Sequence, residues 1–498
     1  MNATDKKKLA KKIQGSPGRA VYEFILEITR NPNWDITDRK QDEKLIREML
    51  RKHCNGSGPV IVKKLPGWFS FAEKLKNGKR LTIPELVQYT FDLHEDRIMF
   101  SDEWLRVYQD GYWKKIPDSE IINQVYKIDG IYANPSRYGA VIKTIKHLKD
   151  KGSLTQNYNL ICLENGTLNP RTGKLLKHSA DHMLLNKLPI NWKANAKCPV
   201  WKRTLNQIFH ADSEKKNKID LIQELTGYLL TADTSQHKFF WMVGNGRNGK
   251  SLILKIIEKL CGPENCTAMQ LHRLNNSHIR AGLLNKLVNI SSEIEPGEKI
   301  PTSLLKAIVG SDLIEADEKG KSSITFRPYC RLIACLNPEA DKLPKTHDSS
   351  NGFMERAVFI QFNRIFTEKE QDKNLESKLG KELSGILVWA VAGLQRLNKR
   401  GRFIVPASSR ELVQEFILDS KPVKKFARDA LTHDTNGRLS TTELFEAYKL
   451  YGKVTKHKIG NASVFGKELQ ALNLNSIKSQ GKIRWKVKIS KEYLPKEK

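Results

Sequence analysis

The residues best placed to do chemistry are Gly244-Asn245-Gly246-Arg247-Asn248-Gly249-Lys250-Ser251, which fit the spacing G-x-x-x-x-G-K-S. Glycines there let backbone N–H groups turn inward onto phosphate oxygens, and a following helix N-terminus adds partial positive charge. Lys250 can reach the β- and γ-phosphates, and the Ser251 hydroxyl can hold a magnesium ion. Such a match carries weight only between a strand and a helix. Phe239-Phe240-Trp241-Met242-Val243 before it is an apolar run with strand composition, and Leu252-Ile253-Leu254-Lys255-Ile256-Ile257 after it has helical patterning. The loop from Gly244 to Ser251 is therefore expected to bind a nucleoside triphosphate.

A phosphate loop needs acids on a neighbouring strand. The apolar, strand-like run over residues 287–295 ends in Glu293 and Glu295, which share a face on an extended chain. Glu293 is the candidate to activate the attacking water or to hold magnesium through water, and Glu295 is a second candidate. Further on, residues 313–316 and 323–326 read as a hairpin with Lys319 and Lys321 at its tip. On a ring motor those lysines would grip a phosphate backbone in the pore. The strand-like Arg331-Leu332-Ile333-Ala334-Cys335-Leu336 ends at Asn337, whose amide can sense the γ-phosphate and the lytic water. Arg356, closing Gly352-Phe353-Met354-Glu355-Arg356, is placed to act as an arginine finger on a neighbour's nucleotide.

These residues need a scaffold, and the composition bounds it. A chain of 498 residues is too long for one core and is expected to hold about three or four domains. Lys and Arg number 85 against 55 Asp and Glu, a net charge of +30 that points to a polyanionic partner, nucleic acid above all. The seven cysteines are scattered without a C-x-x-C, which argues for a reducing compartment and against a disulfide framework or zinc finger. No signal peptide or membrane-length apolar segment is visible, so a soluble intracellular protein without a membrane partner is expected.

Four segments are expected. Residues 1–95 read as basic and helical, with amphipathic stretches over 20–29 and 43–53 and a break at Asn55-Gly56-Ser57-Gly58-Pro59. Residues 96–215 read as a mixed α+β domain, including a hairpin turning at Asp110-Gly111 between aromatic-rich strands. Residues 216–400 alternate strands and helices, the pattern of an α/β nucleotide-binding core. Residues 401–498 end in a basic tail, with 18 Lys and Arg against 7 Asp and Glu from Lys421 onward. In that tail Ser440-Thr441-Thr442-Glu443 can cap one helix, Asn461 can start a second, and two strands follow around Gln480-Gly481. Helix, helix and basic β-wing outline a winged helix, with Lys482, Arg484, Lys486 and Lys488 alternating along one strand to meet duplex DNA.

The ordered set over roughly residues 100–400 resembles the superfamily 3 helicases, specifically the satellite-phage and poxvirus-type primase–helicase family of phages, plasmids and genomic islands. The resemblance rests on G-N-G-R-N-G-K-S, the S-S-E strand end, L-L-K-A-I-V-G-S-D, the strand ending in Asn337, and G-F-M-E-R. Upstream it rests on Trp113-Lys114-Lys115-Ile116-Pro117, Glu164-Asn165-Gly166-Thr167-Leu168, Cys198-Pro199-Val200-Trp201 and Gln223-Glu224-Leu225-Thr226-Gly227-Tyr228. It implies an AAA+-like fold, a homo-hexamer, and ATP- and Mg2+-dependent 3′-to-5′ movement on single-stranded DNA. Lys250, Ser251, Glu293, Asn337 and Arg356 would carry hydrolysis, with Lys319 and Lys321 on a pore hairpin. Ser292 stands where relatives often carry an acid, which puts magnesium handling on Ser251 and Glu293. Residues 1–95 lack the compact acidic constellation of a two-metal polymerase, so primase activity is not expected. The expected function is a replicative helicase and replication initiator of a mobile element in a bacterial cytoplasm, working with host replication proteins. The competing readings are a DNA-binding regulator that uses ATP only as a switch, and a nucleotide-controlled structural or defence assembly.

Overall fold

The computed structural model describes residues 17–29, 38–53, 58–132, 134–291, 300–318, 323–336, 351–419, 421–455, 459–479 and 482–493, together with Leu9. The chain is a mixed α/β protein that divides into two compact units, Met1–Trp192 and Lys193–Lys498. That boundary falls at neither 95 nor 215, the divisions expected in this part of the sequence. Among the described residues no helix is long and apolar enough to cross a membrane.

The first unit opens with helices α1 (Pro17–Thr29), α2 (Asp38–His53), α3 (Gly58–Lys76) and α4 (Ile83–Leu93). In α1 the apolar residues Val21, Phe24, Ile25 and Ile28 recur at helical spacing, and they meet Leu50, Trp68 and Phe69 in a shared core. The Gly58-Pro59 pair, read from sequence as part of a break, instead begins α3, because proline costs little in a first helical turn. Thr82 and Glu85 cap α4 reciprocally, each side chain bonded to the other's backbone N–H.

Strands β1 (Ile98–Ser101), β2 (Trp104–Gln109) and β3 (Tyr112–Ile116) follow, then helices α5 (Asp118–Asp129) and α6 (Pro135–Leu148). The β2–β3 hairpin pairs Gln109 with Tyr112. Asp110 and Gly111 lie at φ 53° and 92°, the tight turn their types favour. A second antiparallel sheet holds β4 (Ile161–Leu163), β5 (Gly166–Asn169) and β6 (Lys174–Leu176). His178 wedges against the β2–β3 turn, where a Cβ on Gly111 would come 2.2 Å from its Nδ1. The same nitrogen lies 3.3 Å from Thr167 Oγ1 and 3.8 Å from Cys162 Sγ. Burial pushes the His178 imidazole below its ordinary range and the Cys162 thiol up to about 12.

The second unit is built on a parallel sheet. Helices α7 (Pro199–Ile208) and α8 (Lys215–Leu229) lead into β7 (Phe239–Val243), α9 (Lys250–Cys261), β8 (Cys266–Thr267), the short α10 (Ser277–Arg280) and β9 (Val288–Ser291). Then come α11 (Thr302–Gly310), the β10 (Ile314–Ala316) and β11 (Ile324–Phe326) pair, β12 (Arg331–Leu336), α12 (Asn351–Arg356) and β13 (Ala357–Gln361). The five-stranded sheet runs β13-β7-β12-β9-β8, each neighbour parallel. Every residue of β7 is buried, as a parallel strand covered on both faces requires.

Helices α13 (Leu375–Lys381), α14 (Leu383–Arg400) and α15 (Ala407–Asp419) follow the sheet. The apolar 386–397 stretch is the buried face of α14, packed on α8. Two glycines bring these helices together: a Cβ on Gly227 would meet the Ala390 carbonyl at 2.2 Å, and one on Gly393 the Gln223 carbonyl at 2.5 Å. Beside this crossing, buried Glu224 accepts from Arg396 Nε at 2.6 Å and from Arg400.

The C-terminal part runs α16 (Pro422–Ala430), β14 (Leu431–His433), β15 (Leu439–Ser440), α17 (Thr441–Thr455), α18 (Ala462–Gln470), β16 (Ser476–Ser479), β17 (Lys482–Trp485) and β18 (Val487–Ile489). Ser440 and Glu443 form the reciprocal cap of α17, with Ser440 N donating to Glu443 Oε2 at 2.6 Å and Glu443 N to Ser440 Oγ at 3.2 Å. Phe426, Leu444, Tyr448, Phe465, Leu469 and Trp485 form the core of this part.

Candidate functional site

The phosphate-loop sequence leaves the C-terminal end of β7 and enters α9, with β12 and β13 flanking β7 on either side. In open parallel sheets ligands gather outside the carboxyl ends of the strands, at the point where neighbours diverge. The loop is tightly held. Gly244 N donates to Leu336 O at 3.1 Å, and Phe366 N donates to Arg247 O at 2.8 Å. Buried Asn248 donates from Nδ2 to Asn245 O and lies 3.5 Å from Phe362 O.

Glycine is required at both ends of this loop. Gly244 has φ 156°, and a Cβ there would come 2.4 Å from Asn248 Nδ2 and 2.5 Å from Phe362 O. Gly249 has φ 91°, and its Cβ would strike Ile208 at 2.6 Å. Arg247 also holds a left-handed φ of 58°, so the loop's backbone is set against that residue's preference. Gly249 caps α9 without a side-chain bond, and of the first-turn N–H groups Lys250 N donates weakly to Asn248 Oδ1 at 3.4 Å. Buried Lys250 turns its ammonium onto the Gly244 carbonyl, and Ser251 is exposed.

A cavity of about 1220 Å³ opens over Gly246, Lys250 and Ser251. Its lining also includes Val200, Gln207 and Ile208 of α7 and a strap after β13 that includes Phe366 and Gln371. Glu382 fixes α7 by accepting from Val200 N at 3.0 Å and Trp201 N at 2.9 Å. Arg364 bonds Gln207 O at 2.7 Å and Glu370 at 2.7 Å, joining strap to helix. Neither α7 nor the strap is among the candidate residues the sequence supplied. The signals for α7 are Pro199, which suits a first helical turn, and the Cys198-Pro199-Val200-Trp201 segment of the family resemblance.

Arg356 sits at the other end of the sheet. It closes α12 just before Ala357, which pairs with Phe239 at the start of β7. Its Nη1 donates to Gly352 O at 2.9 Å, while among the described residues its buried Nε has no hydrogen-bond partner. Nearby Lys238 donates to Glu355 O, and burial lowers its pKa, with the Arg356 charge adding to the effect. Ser292, Glu293, Glu295, Lys319, Lys321 and Asn337 lie outside the described residues. The strands leading to them, β9, β10–β11 and β12, are formed. Among the described residues no group of three or more His, Cys, Asp or Glu is arranged to hold a metal ion.

The four basic tail positions do not share one strand. Lys482 and Arg484 fall on β17, which pairs with β15 and β16, whereas Lys488 falls on β18, which pairs with β14; Lys486 lies between. The switch occurs because Lys486 spends its backbone on loops, donating to Asn475 O and accepting from Asp434 N. Alternation nevertheless persists: Trp485, Val487 and Ile489 are buried, while Arg484 and Lys486 are half-buried and Lys488 is exposed.

Known protein families match two stretches of this chain. Residues 87–210 match the family described as "D5 N terminal like", and residues 242–356 match a family of unknown function, DUF5906. A putative helicase of Acanthamoeba polyphaga mimivirus is 22% identical over 299 residues, covering 57% of this chain and 30% of that protein. The chain thus spans under a third of that helicase's length. Among solved structures, the A form apo structure of the NrS-1 C terminal region is 15% identical, covering 78% of this chain and 85% of that one at a TM-score of 0.44. The apo structure of NrS-1 residues 305–718 is 14% identical, covering 78% and 84% at 0.45. The D5 N terminal like match and the viral relative fit a viral helicase-like family.

Proposed function

We propose that this chain is an ATP-dependent DNA helicase with a superfamily 3, AAA+-like motor, moving 3′-to-5′ as a homo-hexamer and serving as the replication initiator of a mobile element. The observation that carries the reading is the glycine-dependent loop between β7 and α9, opening on a cavity at the carboxyl end of a parallel sheet. The residues present suit a triphosphate: the N-terminus of α9, a buried lysine and an exposed serine, all lining the cavity. Lys250 would neutralise the β- and γ-phosphates, and Ser251 with Glu293 would hold Mg2+, which shields charge on the transferring phosphoryl group. Glu293 would orient the water, Asn337 would sense the γ-phosphate, and Arg356 would serve a neighbouring protomer. Lys319 and Lys321 would grip the translocating strand.

For the C-terminal part we read a winged helix. Its order of helix, two short strands, two helices and three strands supports this, with Arg484 and Lys488 on the side opposite the Trp485 core. It would bind duplex origin DNA. In this scheme the domains are residues 1–95, 96–215, 216–400 and 401–498, with α7 lending its face to the cavity of the next. Localisation in a bacterial cytoplasm and contacts with host replication proteins complete the reading.

The test is unwinding of a forked duplex with ATP and Mg2+, comparing the intact chain with Lys250→Ala and Arg356→Ala. The helicase reading expects separation from a 3′ tail that both substitutions abolish. ATP binding without strand separation, under conditions where rings are seen, would instead make the chain an ATP-switched DNA-binding regulator.

A further inference from the structure

The cavity over the loop is larger than a phosphate chain needs, and its lining carries an aromatic ring with no role in the hydrolysis just described. Phe366 is half-buried and lines the cavity. Its backbone N–H donates to Arg247 O at 2.8 Å, so the main chain that carries the ring is tied directly to the loop. The Arg364 guanidinium carbon lies 4.5 Å from the ring centroid. Arg364 is itself fixed by Glu370 and by the Gln207 carbonyl, each at 2.7 Å. Just after the ring, Thr367 N donates to Glu370 Oε2 at 2.9 Å, which locks the turn. Bonds with Thr367 and Arg364 hold the Glu370 carboxyl well below its usual range, so this brace stays charged across ordinary pH.

On the reading that the loop holds a nucleoside triphosphate, we propose that Phe366 is the stacking platform for the nucleotide's base. An aromatic ring carried on a tied backbone and held against a fixed cation loses less freedom than a solvent-exposed ring when a base stacks on it. A base π-face against such a ring is a favourable, sequence-tolerant contact. The strap thus sets the distance between platform and loop, because the Phe366–Arg247 bond belongs to both.

The test measures binding of ATP and of inorganic tripolyphosphate to the full chain by calorimetry, for the natural protein, Phe366→Ala and Phe366→Trp. The alanine variant should bind ATP about tenfold or more weaker and tripolyphosphate within about twofold of the natural protein, while tryptophan retains ATP binding. Unchanged ATP binding by Phe366→Ala overturns the proposal. So does equal weakening toward both ligands, which would mean that Phe366 only holds the loop in shape. A natural chain that binds both ligands equally tightly keeps the phosphate loop and removes the base platform. A natural chain that binds neither sinks the phosphate-loop reading itself.

Discussion

Arg356 and the phosphate loop lie at opposite ends of the same pair of strands, and that separation makes a sharp prediction. Ala357 pairs with Phe239 and Gln361 with Val243. From Phe239, beside Ala357, to Gly244 at the start of the loop is five residue steps, which at about 3.3 Å each put about 16 Å between the end of α12 and the loop. An arginine side chain reaches roughly 7 Å from its Cα, so Arg356 cannot serve the loop of its own chain along this path. If it acts on hydrolysis it does so across a subunit boundary, where an arginine finger contributes about 10³–10⁵ in kcat. Lys250→Ala and Arg356→Ala should therefore each remove hydrolysis when alone. Mixed in one ring they should complement, because Arg356→Ala protomers keep the loop lysine and Lys250→Ala protomers keep the finger. With equal amounts in random order about one quarter of head-to-tail interfaces pair both natural residues, so about a quarter of the natural rate should return. The assay is steady-state phosphate release by rings carrying both variants, co-expressed with different tags and purified through each tag in turn. Recovery of no activity in rings shown to hold both variants would refute the shared site. Full hydrolysis by Arg356→Ala alone would remove the finger.

Three further outcomes follow from packing and charge. Gly393→Ala drives a Cβ to 2.5 Å from the Gln223 carbonyl, and helix α14 must shift off α8. The cost is expected at about 1–3 kcal/mol, read as a lower urea midpoint with little change in slope. The lowered pKa of His178 means that the unfolded chain binds more protons than the folded one as pH falls below the ordinary imidazole range. Its contribution to stability is therefore present at neutral pH and is lost on acidification through that range, by at most about 1.4 kcal/mol per pH unit. His178→Asn should flatten that part of the pH–melting profile, and an unchanged profile would exclude His178 as its source. In the C-terminal part, Lys488→Ala should weaken duplex binding similarly across DNA sequences and reduce the slope of log K against log salt by about 1. An unchanged slope would take that residue off the DNA surface.

The sequence made some features legible because their causes are local. Strand β7, the loop glycines, the Asp110-Gly111 turn, the Ser440–Glu443 cap and the buried face of α14 each follow from residue types within a few positions of one another. The basic run near the C-terminus was legible in its alternation but not in its pairing. Period two survives across Lys486, yet a change of sheet depends on what the backbone of that residue meets, and side-chain pattern does not encode it. The cavity's second wall was invisible for a stronger reason. Ile208 becomes part of the loop only because Gly249 lacks a Cβ, and Phe366 only because strand β13 runs parallel beside β7 and delivers the strap to Arg247. Such residues obey the chemistry of a site built from another part of the chain. A motif therefore points to the groups that would hold a phosphate, whereas the groups that would hold the rest of the ligand are chosen by the sheet order, and only the fold reveals them.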